Sequence, residues 1–335
     1  MYSAATASSG ARILVVRLGA MGDIIHTLPA VASLKHSFPG SHLTWVVESK
    51  WTPLLEQNPF VDRVAILRRG GPGPILASCR DLRAYRYDFA VDFQGLLKSS
   101  LLATIARPDK IFGFHRSQVR EKPAALFYST QTQSASIHKV EQNLDLASAA
   151  GAVSLLRTFA LPQGAPEGTL PKGDFILANP LAGWRSKQWP VEFYCALADR
   201  IRCELGMPLV LNAAPDATAA LAAVPGAVPF ASGLSGLIDA TRRATAVVGV
   251  DSGPLHLAAG LGKSGVAIFG PTDPARNGPY GETFTVLRSP NAVTTYKRSS
   301  TIDASMWEIS PDDVFSALKT IILRSAETAS PRPGV

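Results

Sequence analysis

A carboxylate, a hydroxyl group, a glycine and a histidine follow one short apolar segment in the second half of the chain. The apolar run 246–250 is typical of a buried parallel strand, and the residues of interest after it are Asp251, Ser252, Gly253 and His256. A helix that begins at the end of such a strand presents free backbone N–H groups and the positive end of its dipole. Because α/β proteins bind phosphate at such helix N-termini, the pattern predicts a ligand that contains phosphate.

Two simpler interpretations of this segment stay open. Asp251 or Ser252 could cap the following helix and have no further role. His256 stands between Leu255 and Leu257, so it could be a core histidine whose hydrogen bonds are satisfied. The position of the whole cluster at the carboxyl end of a strand, where α/β sheets bind their ligands, favours the binding site.

A second cluster lies near the N-terminus, where Gly19, Gly22 and Asp23 join the apolar strand 12–18 to a helix predicted to run through residue 37. The glycine spacing matches neither the dinucleotide-binding pattern nor the phosphate-binding loop. A carboxylate at a helix N-terminus is held ionised by the dipole. Asp23 could therefore be a simple cap, or it could accept the proton of an attacking hydroxyl group. Pro29 either kinks this helix or marks its true start.

A third cluster, residues 179–190, follows the first strand of the second half and contains small residues, two cations and two tryptophans. At the carboxyl end of a strand, such a segment suits a diphosphate together with an aromatic base or a sugar. Lys187 by itself would be a solvated surface lysine. Its place at a strand end, two residues before Trp189, favours a functional role.

The sequence lacks the patterns of a metal site and of a serine hydrolase. The six histidines are scattered without metal-binding spacing, and no Asp-x-Asp ends a strand. The Gly-x-Ser-x-Gly motif of a nucleophilic serine is absent as well. We therefore expect no catalytic metal and no cofactor.

Composition and length indicate a soluble protein of two domains. The chain has 335 residues, 46% of them hydrophobic, without an apolar run of membrane-spanning length. Its first ten residues lack the basic and apolar regions of a signal peptide. Three cysteines, Cys79, Cys195 and Cys203, show no metal spacing and indicate a reducing compartment. We expect a cytoplasmic location.

The net charge of +7 comes entirely from the first half of the chain. Residues 1–165 contain 18 Lys and Arg against 11 Asp and Glu, whereas the remainder contains 15 of each. This excess is either a solvated basic face or a surface for a polyanion such as an anionic lipid layer, an acidic sugar or nucleic acid. No RNA-binding or DNA-binding pattern is present, so we expect no nucleic-acid partner.

Strands and helices alternate along both halves, which predicts an α/β protein with two doubly wound, Rossmann-like domains that face each other across a cleft. A segment rich in Pro and Gly separates them. Near the C-terminus, Ser310 and Pro311 are typical of a helix start. The predicted parts are an acceptor domain over 1–160, a linker over 161–172, a donor domain with the C-terminal helix over 173–325, and a tail over 326–335.

Taken together and in this order, the motifs resemble the lipopolysaccharide heptosyltransferases, a glycosyltransferase family with the two-Rossmann-domain GT-B fold. The similar segments are 17–30, 92–99, 113–116, and 248–256 with 270–274, and the resemblance extends from residue 12 to about residue 323. The segment 138–143, after Arg116 and Arg120, favours the heptosyltransferase I subgroup.

The resemblance implies an inverting, metal-independent transfer of heptose from ADP-heptose to a Kdo sugar of the lipopolysaccharide inner core. Asp23 would be the general base, Lys187 would bind the donor phosphates and stabilise the leaving group, and Asp251 would contact the sugar. The other donor-binding residues would be Ser252, Gly253, His256, Ser186 and Asp216. The candidate acceptor-binding residues are Gly19, Gly22, Arg68, Arg69, Gln94, Lys98, Arg116, Arg120 and His138.

Two departures from the family pattern leave the exact nucleotide and sugar open. Ala182 and Gly183 stand where the family often has two threonines, and Ser186 is the candidate replacement for their hydroxyl groups. Asp216 stands near the place of a ribose-binding glutamate.

The expected acceptor is an acidic, lipid-linked saccharide, reached by peripheral contact with an anionic membrane at the cytoplasmic face of the inner membrane. Two other classes of function stay open. One is a GT-B enzyme for a different nucleotide sugar, and the other is a non-catalytic nucleotide-binding adaptor, because a fold does not fix a function.

Overall fold

The computed structural model describes residues 10–221 and 224–329. The chain divides into two compact units, Met1–Pro162 and Gln163–Val335. Each unit contains one six-stranded sheet in which every strand pairs in parallel with its neighbours. The predicted class, α/β with two doubly wound domains, is confirmed. The predicted cleft between them stays a prediction.

The sheet of the first unit has the strand order β3-β2-β1-β4-β5-β6. Because the chain leaves β1 first to one side and later to the other, the switch point lies beside β1. Val16 of β1 pairs with Val46 of β2 and with Asp92 of β4, so the loops after these strands begin at one edge. The strands are β1 Arg12–Val16, β2 His42–Glu48, β3 Arg63–Leu67, β4 Phe89–Asp92, β5 Lys110–Phe114 and β6 Thr130–Thr132.

Helices cover both faces of this sheet. On one face α2 and α5 pack together, and on the other α4 packs against α3 and a 3-10 helix, Lys122–Phe127. Right-handed crossovers give this division, since the chain moves in opposite directions from β1. The helices are α1 Met21–Ile25, α2 Leu28–Ser37, α3 Pro72–Arg83, α4 Leu97–Ile105 and α5 Lys139–Ala149, and a further 3-10 helix is Ser49–Leu55.

The prediction of one continuous helix through residue 37 is wrong. The chain forms α1 and then a new helix, α2, in whose first turn Pro29 lies. Proline has no N–H group to donate and fits the first turn, where that donor would have no partner in the helix. Pro29 therefore marks a true start, which was one of the two alternatives, and does not kink a longer helix.

The second unit repeats the design with the strand order β12-β11-β10-β7-β8-β9. The strands are β7 Ile176–Asn179, β8 Leu209–Ala213, β9 Val228–Ala231, β10 Ala246–Val250, β11 Gly265–Phe269 and β12 Phe284–Arg288. The helices are α6 Val191–Leu205, α7 Leu234–Arg243, α8 Gly253–Gly260, α9 Pro274–Asn277, α10 Ala304–Trp307 and α11 Pro311–Ala329, and the 3-10 helices are Arg185–Lys187 and Pro215–Ala220.

Continuous apolar sequence produced the central strands, because a parallel sheet is buried on both faces. All five residues of β10 and of β11 are buried, as are the last four of β1. Among the described residues, no helix is both long and apolar enough to cross a membrane.

The Pro- and Gly-rich segment after residue 162 belongs to the second unit and contacts α7. Both carboxylate oxygens of Glu167 accept backbone N–H groups of Gly233 and Gly236, at 2.6 and 2.9 Å, at the start of α7. At the other end of the unit, Ser310 Oγ accepts the N–H of Asp313 at 3.1 Å, as expected for a helix cap. The predicted domain limits, 1–160, 161–172 and 173–325, stay predictions. Helix α11 runs to Ala329, and residues 330–335 of the predicted tail lie outside the described residues.

Candidate functional site

In the loop between β10 and α8, Asp251 lies next to the start of the helix but does not cap it. Ser252 is the N-cap residue of α8, and its side chain makes no capping hydrogen bond. Pro254 lies in the first turn, where its missing N–H is no loss. The interpretation of Ser252 as a helix cap is therefore wrong, and Asp251 makes a different contact.

Asp251 lies between a lysine and a histidine, all three largely buried. Lys187 Nζ is 3.0 Å from Asp251 Oδ2, and His256 Nε2 is 3.6 Å from Asp251 Oδ1. Lys187 comes from the 3-10 helix after β7, whereas Asp251 and His256 come from the end of β10 and the second turn of α8. Since neighbouring parallel strands end at one edge, the sheet brings residues 64 positions apart into contact.

The charge state of Asp251 is fixed by these neighbours. Burial by itself would raise the pKa of its carboxyl group, but the interaction with His256 and the positive charge of Lys187 outweigh burial and lower the pKa to about 2. Asp251 is therefore a carboxylate at neutral pH. It holds a cation at the edge of the sheet, beside the positive end of α8.

Several buried polar atoms at this edge have no hydrogen-bond partner within the described residues. They include Ser186 Oγ, Ser252 Oγ and the side-chain oxygen of Asn179, the last residue of β7. Buried polar atoms are normally paired, because an unpaired one costs about 1–3 kcal/mol. Hydroxyl groups, a lysine and a helix N-terminus at one edge fit an anionic ligand with several oxygens.

The two tryptophans of the segment 179–190 have different roles. The Trp189 indole is buried and donates a hydrogen bond to the carbonyl of Ile309 at 2.9 Å, which makes it a core residue. Trp184 is partly exposed. Lys187 Nζ lies 4.9 Å from the centre of its ring, and the Arg298 guanidinium lies 5.6 Å from it. Two cations thus meet one aromatic ring beside the ion pair.

In the first unit, Asp23 lies in the first turn of α1 and pairs with a buried arginine. Its Oδ1 is 2.7 Å from Arg17 Nη2, and its Oδ2 accepts the N–H of Ala20 at 3.3 Å. The Asp23 side chain is 42% exposed. Asp23 thus makes a helix-start contact, yet part of its carboxylate faces solvent at the carboxyl edge of β1, where a hydroxyl group can reach it.

The Arg17 side chain is also held by a second contact, because its Nη1 donates a hydrogen bond to the carbonyl of Phe93. Close packing also explains Gly19, since a Cβ atom there would lie 2.6 Å from Nε1 of Trp51. Gly22 follows in the first turn of α1. The glycine-rich turn therefore lets the chain pass Trp51 and brings Asp23 to Arg17.

Asp92, at the end of β4, organises the loop that carries Gln94 and leads into α4, whose first turn contains Lys98. It is fully buried and accepts four hydrogen bonds from residues of this unit. The donors are the N–H groups of Gln94 at 2.8 Å and Gly95 at 3.4 Å, and the hydroxyl groups of Ser99 at 2.8 Å and Tyr128 at 2.8 Å. Burial raises the pKa of the Asp92 carboxyl group, and the hydrogen bonds oppose that shift.

Gly95 can follow this loop because its φ of 66° lies in the left-handed region. The Gln94 side chain is held too, since its Oε1 accepts the N–H of Leu18 at 3.0 Å.

Two of the predicted acceptor-binding cations converge on a carboxylate that the sequence did not single out. Glu48, the last residue of β2, is nearly buried and pairs with Arg69, and its Oε1 is 3.4 Å from Lys98 Nζ. Glu48 ends β2, Arg69 follows β3, and Lys98 lies in the first turn of α4, the helix after β4, so all three lie at the carboxyl edge of the sheet.

The other predicted acceptor residues lie in loops at the same edge. Arg68 follows β3 and donates its backbone N–H to Ser78 Oγ at 3.0 Å. Arg116 and Arg120 are exposed after β5. His138 is the N-cap of α5, where its Nδ1 accepts the N–H of Val140 at 3.1 Å, and its ring packs edge-on against His26 with centroids 5.6 Å apart. His138 therefore has a structural role as the cap of α5, and its acceptor-binding role stays a prediction.

Within 10–221 and 224–329, no three His, Cys, Asp or Glu side chains are grouped closely enough to hold a metal ion.

Comparisons with known proteins identify the family. The profile of the family described as glycosyltransferase family 9 (heptosyltransferase) matches residues 75–304. The chain belongs to glycosyltransferase family 9.

Two relatives of this family 9 glycosyltransferase are similar over most of their length. Lipopolysaccharide heptosyltransferase 1 of Pseudomonas aeruginosa is 31% identical over 296 residues, which cover 81% of each chain. Lipopolysaccharide heptosyltransferase 1 of Escherichia coli strain K12 is 32% identical over 302 residues, covering 83% of this chain and 94% of the relative. Among solved structures, E. coli heptosyltransferase WaaC with ADP-2-deoxy-2-fluoro heptose superposes with a TM-score of 0.73 at 25% identity, over 94% of this chain and 99% of that one.

The two departures from the family pattern lie at the edge of the second sheet of this family 9 glycosyltransferase. The carbonyl of Ala182 accepts a hydrogen bond from Gln188 Nε2 at 3.2 Å, and Ser186, four residues later, supplies a buried hydroxyl group. Asp216 is exposed in the 3-10 helix after β8. Ser186 thus shares a 3-10 helix with Lys187, the partner of Asp251, whereas Asp216 lies in a different 3-10 helix, Pro215–Ala220.

Sequence reasoning gave no role to Arg17, Glu48 or Arg298. Arg17 and Glu48 are charged residues at strand ends, and this position could have indicated a functional role for both. Arg17 also lies inside the motif 17–30. Arg298 lies in a loop after β12 without a recognisable pattern, so only its contact with Trp184 identifies it.

Proposed function

We propose that this protein transfers a heptose from ADP-heptose to a Kdo sugar of the lipopolysaccharide inner core. The transfer inverts the anomeric carbon and uses no metal ion. The observation that carries the proposal is the buried trio of Lys187, Asp251 and His256 at the start of α8. The relatives named lipopolysaccharide heptosyltransferase 1 support the reaction, and the WaaC complex with a fluorinated ADP-heptose supports the donor.

The second unit binds the donor in this proposal. Lys187, the N–H groups at the start of α8, and the hydroxyl groups of Ser186 and Ser252 bind the diphosphate, while Asp251 orients Lys187 and contacts the sugar. His256 and Gly253 complete the cradle around the phosphates, and Asp216 reaches the nucleoside. As ADP leaves, negative charge grows on the diphosphate, and these preoriented donors stabilise it without reorganisation.

The first unit binds the acceptor and supplies the base. An acceptor hydroxyl oxygen bonds to the anomeric carbon as the bond from that carbon to the diphosphate oxygen breaks, and Asp23 takes the hydroxyl proton. Arg17 holds Asp23 in place with its 2.7 Å contact. Gly19 and Gly22 shape the turn around Asp23, and the remaining acceptor contacts come from Arg68, Arg69, Gln94, Lys98, Arg116, Arg120 and His138.

The acceptor is an acidic saccharide on a lipid anchor, so the enzyme works at the cytoplasmic face of the inner membrane by peripheral contact. The cations at the edge of the first sheet support an acceptor that carries carboxylates and phosphates. Attraction between exposed charges is screened by salt, so acceptor KM should rise with ionic strength while donor KM changes less.

The test is transfer by the purified chain with ADP-heptose, followed by mass spectrometry of a Kdo-terminated acceptor. UDP-glucose and GDP-mannose, offered at the same concentrations, serve as donor controls. A mass increase of one heptose with ADP-heptose alone is the expected result. Transfer from another sugar nucleotide would assign a different donor, and ADP binding without transfer from any donor would indicate a nucleotide-binding adaptor.

A further inference from the structure

The outward side of α3, α4 and the 3-10 helix Lys122–Phe127 exposes large apolar side chains. Leu126 is 85% exposed, and the others are more than one-third exposed. We call this surface the α3/α4 face, and its apolar residues are Ile75, Leu76, Leu97, Leu101 and Leu126. Single exposed apolar residues are common on proteins, but a group of five on adjacent helices marks an interaction surface.

The opposite layer of the same unit differs. Helices α2 and α5 pack together on the other face of the sheet, and within their described residues neither exposes a large hydrophobic side chain. Both layers cover the same apolar sheet, so the need for a core does not explain the difference. Leu97 and Leu101 are one helical turn apart on the outer side of α4, while Leu102 and Ala103 face the core.

Positive charge accompanies these apolar side chains. Residues 68–127, which contain the whole α3/α4 face, carry eleven Lys and Arg against five Asp and Glu, a net charge of +6 out of +7 for the chain. Four of those carboxylates are already engaged. Asp81 pairs with Arg63, Asp92 is buried and accepts four hydrogen bonds, and Asp88 and Glu121 accept the backbone N–H groups of Arg12 and Leu97, each at 2.7 Å. Apolar side chains with surrounding cations match a surface that is apolar beneath a layer of negative charge.

The α3/α4 face also adjoins the candidate acceptor site. Four residues separate the end of β3 from the start of α3, and four separate β4 from α4, so both helices start at the edge that carries Arg69 and Lys98. Residue 121, just before the 3-10 helix, is tied to that edge because its N–H donates to the carbonyl of Gly95 at 3.2 Å. The α3/α4 face therefore begins beside the acceptor cations, and Leu97 directly precedes Lys98 in the first turn of α4.

We infer that the α3/α4 face is a membrane-docking surface that inserts Ile75, Leu76, Leu97, Leu101 and Leu126 into the outer part of an anionic lipid bilayer. The long stems of nearby Lys and Arg residues lie along the bilayer while their charges reach the lipid phosphates. The choice of a bilayer, and not a protein partner, rests on the charge excess and, through the proposed function, on a lipid-linked acceptor. Docking in this orientation would bring the edge with Arg69 and Lys98 to the headgroup layer.

The experiment measures sedimentation of the full chain with lipid vesicles. Vesicles of phosphatidylcholine alone are compared with vesicles that also contain phosphatidylglycerol. The test variant is Leu76→Glu with Leu126→Glu, and Arg80→Glu on the same face tests the charge. The matched controls are Val153→Glu and Val293→Glu, because these valines are 74% and 78% exposed but lie outside the α3/α4 face.

We expect the wild type to bind to the anionic vesicles only. The partition coefficient of the Leu76/Leu126 variant should fall about tenfold or more, because each of its two substitutions removes apolar area that the bilayer would bury and adds a charge that the anionic lipids repel. Arg80→Glu should also weaken binding, and the two valine variants should bind like the wild type. Equal binding by all variants, or no binding by the wild type, would overturn the inference. A loss of self-association in the Leu76/Leu126 variant without any vesicle binding would do the same, since it would assign the face to a second copy of the chain.

A second readout separates this inference from the proposed function. Transfer to a deacylated, water-soluble acceptor should be unchanged in the Leu76/Leu126 variant, whereas transfer to the same acceptor anchored in vesicles should fall. Vesicle binding does not require transfer. If the protein bound anionic vesicles through this face but transferred no heptose, the docking surface would stand and the proposed reaction would fail.

Discussion

The Nζ atom of Lys187 lies 3.0 Å from Oδ2 of Asp251, and both side chains are largely buried. A buried charge is costly unless an opposite charge and hydrogen bonds compensate it. This pair is compensated from both sides, because His256 lies on the other oxygen of Asp251. The contact sets a cation in a fixed position at the start of α8, where a phosphate group would lie.

Replacing Lys187 should therefore affect both binding and chemistry. We expect Lys187→Ala to raise donor KM and to lower kcat by roughly 10²–10³-fold, because one oriented stabiliser of the leaving group is lost. The change also leaves Asp251 buried without its cation, which should lower the free energy of unfolding by about 3 kcal/mol.

Steady-state kinetics and calorimetry measure the two effects of Lys187→Ala separately. Lys172→Ala, at an exposed lysine of the same unit, is the control and should change neither. Unaltered donor KM and kcat in Lys187→Ala would remove Lys187 from the site.

Asp251 should make stability depend on pH in the acid range. Its pKa is lowered from 3.8 to about 2 in the folded chain, so the folded state favours the carboxylate. The stabilisation is present above about pH 4 and is lost as the pH falls through 2, and it amounts to about 2 kcal/mol.

Calorimetry of the wild type and of Asp251→Asn at several pH values tests this. The difference in stability between the two should be constant from pH 5 to neutrality and should shrink below about pH 4. A difference that stays constant down to pH 2 would contradict the assigned charge state.

Asp23 is expected to act in the chemical step. Asp23→Asn and Asp23→Ala should each lower kcat by roughly 10²–10⁴-fold, the usual contribution of a positioned base, with donor KM nearly unchanged. Turnover and donor KM are measured with ADP-heptose.

Asp81→Ala is a matched control, since Asp81 is also about half exposed and also pairs with an arginine, Arg63. It should retain wild-type turnover. If Asp23→Asn turned over as fast as Asp81→Ala, Asp23 would not be the base.

Two buried tyrosines should differ in how the loss of the hydroxyl group changes the free energy of unfolding. Tyr128→Phe removes one of the donors to the buried carboxylate of Asp92, so we expect a loss of about 1–3 kcal/mol in the free energy of unfolding. The loop with Gln94 and the start of α4 with Lys98 should loosen, which raises acceptor KM and leaves donor KM unchanged.

The hydroxyl group of Tyr194 is buried and has no hydrogen-bond partner within the described residues. Tyr194→Phe should therefore be neutral or slightly stabilising. Unfolding and acceptor kinetics of both variants are the measurement. Equal effects of the two substitutions, or a rise in donor KM in Tyr128→Phe, would refute the role of Asp92 in positioning the loop.

The sequence by itself determined the class of fold and the placement of polar residues directly after the central strands. Apolar runs such as 246–250, in a pattern of alternating strands and helices, favour buried parallel strands. The polar residues that follow such strands fall at one edge of the sheet. Asp23, Lys187, Asp251 and His256 could be named on this basis, because pattern and residue type are local properties.

The tertiary structure decided which partners these residues have. The pairing of Arg17 with Asp23, the convergence of Arg69 and Lys98 on Glu48, and the contact of Arg298 with Trp184 join side chains from different loops. Such contacts depend on strand order and register, which no local pattern records. The same holds for the α3/α4 face, because exposure is known only when the helices are packed on the sheet and each side chain has a definite direction.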